Sequence, residues 1–252
     1  MAFKAVCIIP ARWGSTRFPG KPLHEIAGKP LLQRVWERCR RARDLDGLII
    51  ATDDMRVAEA AFDWGAEVSL TSVKHHSGTD RAAEVAARTR KFSHVINVQG
   101  DEPLVDPKLI DRFVLALRAD RNLQMITAAH PFDDPADVTS SSQIKVVLNA
   151  NSDALYFSRS TIPFLRENKT QVGHLRHQGI YGYSRKFLQQ FVRWKPSVLE
   201  RAESLEQLRA LENGVRIHVL VTKTGSPGID TPEDAAALEQ VLAVSGRKER
   251  RR

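Results

Sequence analysis

The chain has 252 residues, 42% hydrophobic and 27% charged. That composition excludes disorder throughout, because enough apolar surface exists to offset the ordering entropy. No apolar run approaches the roughly 18 residues of a membrane span. The formal charge of +8 raises a nucleic-acid reading, but Arg247 to Arg252 hold five bases and one acid, so half of the excess lies at the very end.

The mild excess that remains suits an enzyme with polyanionic substrates, without a nucleic-acid or membrane partner. Met1-Ala2-Phe3-Lys4 opens no signal-peptide pattern, and Cys7 and Cys39 supply no disulfide framework. A reducing, cytoplasmic setting is expected.

Lys4 to Pro10 is a nearly continuous apolar run, the pattern of a strand buried on both faces. Helical spacing follows over Leu31 to Arg43, then a strand over Leu48 to Thr52 and a helix over Arg56 to Trp64. Glu67 to Leu70 reads as a strand, Thr79 to Arg90 as a helix and Val95 to Gln99 as a strand. Pro107 to Ala119 is a helix with proline in its first turn and Asp106 to cap it. Met125 to Ala129, Ile144 to Leu148, Ile180 to Tyr183 and Val215 to Thr222 read as strands, and Pro232 to Val244 as a last helix capped by Thr231. Strand alternating with helix predicts βαβ units, hence a Rossmann-like α/β fold with a mostly parallel sheet. From about residue 139 to 187 the rhythm changes to strands and loops. This predicts a strand-rich insertion within a single domain spanning 1–246, with 247–252 as a disordered basic tail.

Ligands of open α/β sheets bind beyond the carboxyl ends of the strands. The first strand runs into Pro10-Ala11-Arg12-Trp13-Gly14-Ser15-Thr16-Arg17-Phe18-Pro19-Gly20-Lys21, whose glycines, hydroxyls and cations suit a phosphate cradle. It is not a Walker A loop, since Gly14 and Gly20 have five residues between them and Pro22 follows Lys21. Asp101, after the strand ending in Gln99, and Asp230, after the strand ending in Thr222, fall on the same sheet edge and could hold Mg²⁺. Asp230 reads equally well as a cap neighbour of the helix that starts at Pro232, and Asp53 and Asp54 as the start of the second helix. His75 and His76 lack a third ligand at zinc spacing, and Ser77-Gly78-Thr79 reads as a turn and cap able to touch a base or ribose. Tyr156 to Arg159 and Arg176 to Tyr183 bring arginines, a histidine and tyrosines into the inserted region, as an acidic, hydroxyl-rich ligand requires.

Several segments together resemble the CMP-Kdo synthetase (3-deoxy-manno-octulosonate cytidylyltransferase) family. They are Ile9-Pro10-Ala11-Arg12, Ser15-Thr16-Arg17, Pro19-Gly20-Lys21-Pro22, Asn97 to Pro103, Ala154 to Arg159, Gly179 to Tyr183, Leu205 to Arg209 and Asp230 to Asp234. They occur in the family's order from residue 4 to about 244. The resemblance implies a nucleotide-diphospho-sugar transferase type of fold and the reaction CTP + Kdo → CMP-Kdo + pyrophosphate with Mg²⁺, in a cytoplasmic homodimer serving lipopolysaccharide biosynthesis. It implies catalytic roles for Arg12, Lys21, Asp101 and Asp230, the last two as metal ligands. Ala11, Arg12, Ser15, Lys21, Ser77 and Gln99 are implied to bind nucleotide. Arg159, His177, Tyr181, Glu206 and Gln207 are implied to bind the sugar, with Arg159 on its carboxylate through a bidentate pair. The alternatives are a cytidylyltransferase for 8-amino-Kdo or a sialic acid, a sugar-1-phosphate nucleotidyltransferase, and a nonenzymatic nucleic-acid binder.

Overall fold

The computed structural model describes residues 2–14, 18–166 and 173–249. The predicted strands form with small shifts: β1 (Ala5–Ala11), β4 (Gly47–Thr52), β5 (Glu67–Leu70), β6 (His94–Asn97), β7 (Met125–Pro131), β8 (Lys145–Leu148), β10 (Leu175–Ser184) and β11 (Ile217–Val221). The predicted helices are α1 (Leu31–Cys39), α2 (Met55–Asp63), α3 (Gly78–Arg88), α4 (Pro107–Ala119) and α8 (Pro232–Glu249). α1 stops four residues short of Arg43 because Asp111 of α4 draws the chain away, its Oδ1 accepting from the amides of Arg43 and Asp44 at 2.7 and 3.0 Å. α8 runs on through Glu249, so Arg247 to Glu249, read from the sequence as part of a tail, continue the helix; residues 250–252 lie outside the described residues.

Two further strands, β2 (Glu25–Ile26) and β3 (Lys29–Pro30), form a hairpin that the sequence does not announce. Its turn puts Ala27 and Gly28 at φ 48° and 74°, and alanine is a poor signal for a position that usually takes Asn or Gly. β9 (Ala154–Ser158) and the short helices α5 (Arg185–Phe191) and α6 (Val198–Glu203) were also missed as elements, whereas the helical reading of Leu205 to Arg209 is met by α7 (Gln207–Glu212). Six or seven residues carry too few turns for helical periodicity to show.

The described strands other than the hairpin form one sheet in the order β11-β7-β10-β6-β1-β4-β5, with β8 on β10 and β9 on β8. β1 pairs in parallel with β4 and β6, β4 with β5, and β7 with β11; β10 alone enters the middle antiparallel. The strand-rich region is therefore no appendage. Its last strand is a central member of the sheet, bulged between Gln178 and Tyr181, and β8 and β9 extend from its first residues. Side chains of β1 alternate between two cores. Cys7 and Ile9 pack with Val35, Trp36 and Phe113 beneath α1 and α4, while Val6 and Ile8 pack with Val85, Phe187 and Phe191 beneath α3 and α5. No helix among the described residues is long and apolar enough to cross a membrane.

Candidate active site

A third, smaller core builds the entrance to the site. Phe18, Ile26 and Leu31 pack with Ile229, Ala235 and Leu238, which fastens the segment before α8 to the chain that follows β1. Ile229 is buried, its amide donates to the Asp101 carbonyl at 2.9 Å, and its own carbonyl accepts from Lys21 Nζ at 2.9 Å. Lys21 Nζ also reaches Asp101 Oδ2 at 2.6 Å and Asp230 Oδ1 at 3.4 Å. The cation of the first loop thus lies against both carboxylates assigned to one edge from sequence position alone. Ser15, Thr16 and Arg17 lie outside the described residues.

The cavity around Lys21, about 270 Å³, is walled by Ala11, Arg12, Ser77, Gln99, Asp101 and Asp230, among others. Gly100 is required at its floor, because a Cβ there would stand 2.8 Å from the Pro10 carbonyl oxygen. Ser77 caps α3 in a reciprocal capping box with Asp80, so the cap reading of this residue holds. Its Oγ also donates to Glu206 Oε1 at 3.3 Å, and Thr79 Oγ1 donates to Glu206 Oε2 at 2.6 Å. Glu206, placed from the sequence on the sugar side, is therefore bonded to the first turn of the nucleotide-side helix. Burial pushes its carboxyl above the ordinary range, against the Thr79 hydrogen bond and the Arg209 charge. Gln207 is buried beside it in the chain.

The ambiguity at Asp53 and Asp54 resolves into two roles. Asp54 caps α2, its Oδ1 accepting from the Arg56 amide at 3.0 Å. Asp53 instead pairs with the buried Arg81 guanidinium at 2.7 Å and accepts from the Trp13 amide at 3.4 Å. Arg56 lies 3.8 Å from the Trp13 ring centroid, and Gly20, at φ 71°, lies close enough that a Cβ there would stand 3.2 Å from the indole. Trp13 is a strut that fixes the start of the loop. His75 hydrogen-bonds Glu84, which ties its segment to α3.

A second cavity, about 430 Å³, adjoins the first at Asp230 and is lined by Glu102, His130, Arg176, His177 and Gln178. His177 Nε2 lies 2.9 Å from Thr127 Oγ1, which itself donates to the Ile180 carbonyl at 2.8 Å. The Thr127 proton is thus spent, and His177 Nε2–H is the donor. Burial pushes the His177 pKa down to about 3, so the ring is neutral at pH 7. Its ring packs between Phe157 and Tyr181. Burial raises the Tyr181 hydroxyl far above its ordinary range, with Glu206 and Glu102 adding to the effect. Burial also pushes Glu102 up to about 8, with the Asp101 charge adding and Arg176 opposing.

Arg159 lines neither cavity. Its guanidinium donates to the carbonyls of Glu203 at 2.6 Å, Ser141 at 2.9 Å and Ser204 at 3.5 Å. Arg176, which the sequence placed among the groups suited to an acidic ligand while the carboxylate went to Arg159, is the arginine that lines the second cavity. Glu102 was missed, because a glutamate next to a candidate metal ligand reads as one more acidic residue until its burial is seen.

Asp101 and Asp230 offer hard oxygen donors that a cation already bridges, and this suits Mg²⁺. Among the described residues no third His, Cys, Asp or Glu joins them. Mg²⁺ typically takes one or two carboxylates and completes its shell with phosphate and water, so two fit.

A mostly parallel sheet, a basic loop after its first strand and two carboxylates converging at the strand ends are the fold and site that the resemblance to a nucleotidyltransferase of the nucleotide-diphospho-sugar transferase type implies. A family profile described as cytidylyltransferase matches residues 6–217. The 3-deoxy-manno-octulosonate cytidylyltransferase of Syntrophobacter fumaroxidans is 49% identical over 244 residues, covering 95% of this chain and 97% of its own. That of Pseudomonas syringae pv. tomato is 48% identical over 246 residues, covering 93% and 96%. A CMP:2-keto-3-deoxy-manno-octonic acid synthetase solved with CTP superposes with a TM-score of 0.90 at 42% identity, over 97% of this chain and 99% of that one. The 4-diphosphocytidyl-2C-methyl-D-erythritol synthase of Anaerococcus prevotii, 14% identical with a TM-score of 0.66, shares the fold. The chain belongs to the cytidylyltransferase family.

Proposed function

We propose that this chain transfers the cytidylyl group of CTP to the anomeric hydroxyl of Kdo. The hydroxyl oxygen forms the new bond to the α-phosphorus, its proton is lost, and pyrophosphate leaves with the electrons of the broken P–O bond. The observation that carries this reading is the cluster of Lys21, Asp101 and Asp230 in the first cavity, with Asp230 shared by the second, in a chain 49% identical to a 3-deoxy-manno-octulosonate cytidylyltransferase over most of its length.

Such a transfer is mostly positioning and charge neutralisation. Lys21 and Arg12 neutralise the triphosphate, with Ser15 and the amides near Ala11 donating to its oxygens. Asp101 and Asp230 would hold Mg²⁺, which would supply charge neutralisation for the triphosphate and favour loss of the attacking hydroxyl's proton. Gln99 and Ser77 orient the nucleoside. The neutral His177 lines the second cavity and is assigned to the sugar hydroxyls; Tyr181, Glu206 and Gln207 belong to the same proposed site, although none of these three lines either cavity. We assign the sugar carboxylate to Arg176, which faces the cavity; Arg159 would have to release its carbonyl partners to take that role.

Cytoplasmic location, a role in lipopolysaccharide synthesis and a homodimer belong to the same proposal. The exposed Leu155 and Phe164 of the strand-rich region are side chains that such an association could cover. Pyrophosphate release measured with four nucleotides crossed against Kdo, 8-amino-Kdo, sialic acid and glucose-1-phosphate tests the reaction. Release with CTP and Kdo is expected, and a preference for another acceptor would overturn it. Sedimentation of the pure protein tests the dimer.

A further inference from the structure

The segment before β8 carries Ser142 and Gln143, which line the second cavity. Its backbone is held from behind by two cations. Lys145, fully buried, donates from Nζ to the carbonyls of Ser140 and Gln143, both at 2.8 Å, and of Arg159 at 2.5 Å. Arg159 in turn donates to the Ser141 carbonyl at 2.9 Å. Three of the four carbonyls from Ser140 to Gln143 are thereby spent on cations. Ser140 Oγ meets Ser142 Oγ at 2.8 Å.

An ammonium has three donors, and here each finds a carbonyl oxygen, so the tripod fixes three points of two separate loops. Burial lowers the Lys145 pKa, with the Glu203 charge opposing and Arg159 adding. Glu203 anchors the other end of the assembly. Its oxygens accept from Ser158 Oγ at 2.6 Å and from the Arg159 amide at 2.9 Å. In the β8–β10 pairing Lys145 stands opposite Arg176, and the Ile144 carbonyl accepts from the His177 amide at 2.8 Å. The strand that carries the buried ammonium therefore also sets the register of two residues facing the cavity.

We propose that Lys145 is a positioning residue for the acceptor sugar: its ammonium holds the 140–143 wall and the Arg159 backbone in the geometry that the acidic sugar requires. It touches neither substrate. A lysine that only stabilised the fold would affect both substrates alike, because both sites share one sheet. This inference rests on the sugar-acceptor reading given above.

The test uses two variants of the full chain. Lys145→Met keeps length and removes all three donors; Lys145→Gln keeps two, is neutral, and serves if the methionine variant does not fold. Lys145→Met is expected to raise KM for Kdo about tenfold or more, with the calorimetric Kd for CTP within about twofold of wild type. Lys145→Gln should fall between the two, because it satisfies more of the carbonyls. Amide exchange over 140–144 should accelerate in both variants while the amides of β1 stay protected. That readout needs no substrate, so it separates failure of this inference from failure of the proposed reaction. An unchanged KM for Kdo in a folded variant, equal weakening of CTP, or unaltered exchange over 140–144 would each overturn the proposal.

Discussion

Lys21 donates from Nζ to Asp101 Oδ2 at 2.6 Å across eighty positions of sequence, and the same ammonium lies 3.4 Å from Asp230 Oδ1. One ammonium faces two carboxylates here. In the proposed reaction a divalent cation would take up the carboxylates and leave the lysine free for phosphate oxygens.

Removing charge from this cluster should therefore cost turnover far more than stability. Asp101→Asn and Asp230→Asn are each expected to lower kcat by about 100-fold or more, the scale seen when one preorganised electrostatic group is lost. Lys21→Ala should weaken CTP and slow chemistry together. Steady-state kinetics at saturating Mg²⁺, with melting curves alongside, checks this. Near wild-type activity in Asp230→Asn would leave that residue only the part it already plays beside α8.

The two arginines of the sugar side can be separated. Lysine in place of arginine keeps the charge and loses the planar fork. Arg176→Lys should weaken Kdo by about 1.5–3 kcal/mol, the range for hydrogen bonds to charged groups, and leave CTP nearly unchanged. Arg159→Lys should weaken Kdo less, because its guanidinium is engaged with carbonyls rather than with the cavity. Initial rates against Kdo concentration measure both, and a larger effect at Arg159 would return the carboxylate to that residue.

His177 gives a pH signature. Its pKa is held down to about 3 in the fold, against an ordinary value near 6.5. Between these values the unfolded chain binds the extra proton, so stability contributed by the neutral ring is complete above pH 6.5 and is lost as pH falls towards 3. Urea unfolding at pH 6.5 and pH 4.5 should show a smaller acid loss in His177→Gln than in wild type. Equal losses would mean that the imidazole is not buried in its neutral form.

Gly225 tests the packing of the second cavity. A Cβ there would stand 2.2 Å from His130 Nε2 and 2.8 Å from Gln178 Nε2. His130 is itself buried and held at Nδ1 by the Pro131 carbonyl at 2.7 Å, so it cannot swing away cheaply. Gly225→Ala is expected to lower stability by about 1–3 kcal/mol, the usual cost of overpacking, and to raise KM for Kdo. Thermal melts and acceptor titrations report the two effects.

A chain ending at Gly246 removes half the formal charge excess and the last helical residues of α8. Its kinetic constants are expected to match those of the full chain. A large rise in KM for CTP would give the basic end a part in nucleotide binding.

Much of the architecture follows from local pattern. The apolar run at Ala5 to Ala11 and the one at Met125 to Ala129, interrupted only by Thr127, mark strands buried on both faces, and Asp106 before Pro107 marks the start of α4, because periodicity and capping act over a few residues. The basic loop after β1 and the carboxylates at Asp101 and Asp230 were legible for the same reason, once strand ends were taken as the place where ligands bind. What the sequence could not determine depends on contacts between distant segments. The antiparallel entry of β10 between β6 and β7 is a matter of sheet order, which no local signal encodes. The engagement of Arg159 with carbonyls, and of Arg176 with the cavity, depends on which face of which strand meets which loop. Glu102 and His177 look like ordinary titratable side chains in the sequence. Only the tertiary structure removes them from water, and that desolvation, a property of the whole fold around a residue, sets one up to about 8 and the other down to about 3.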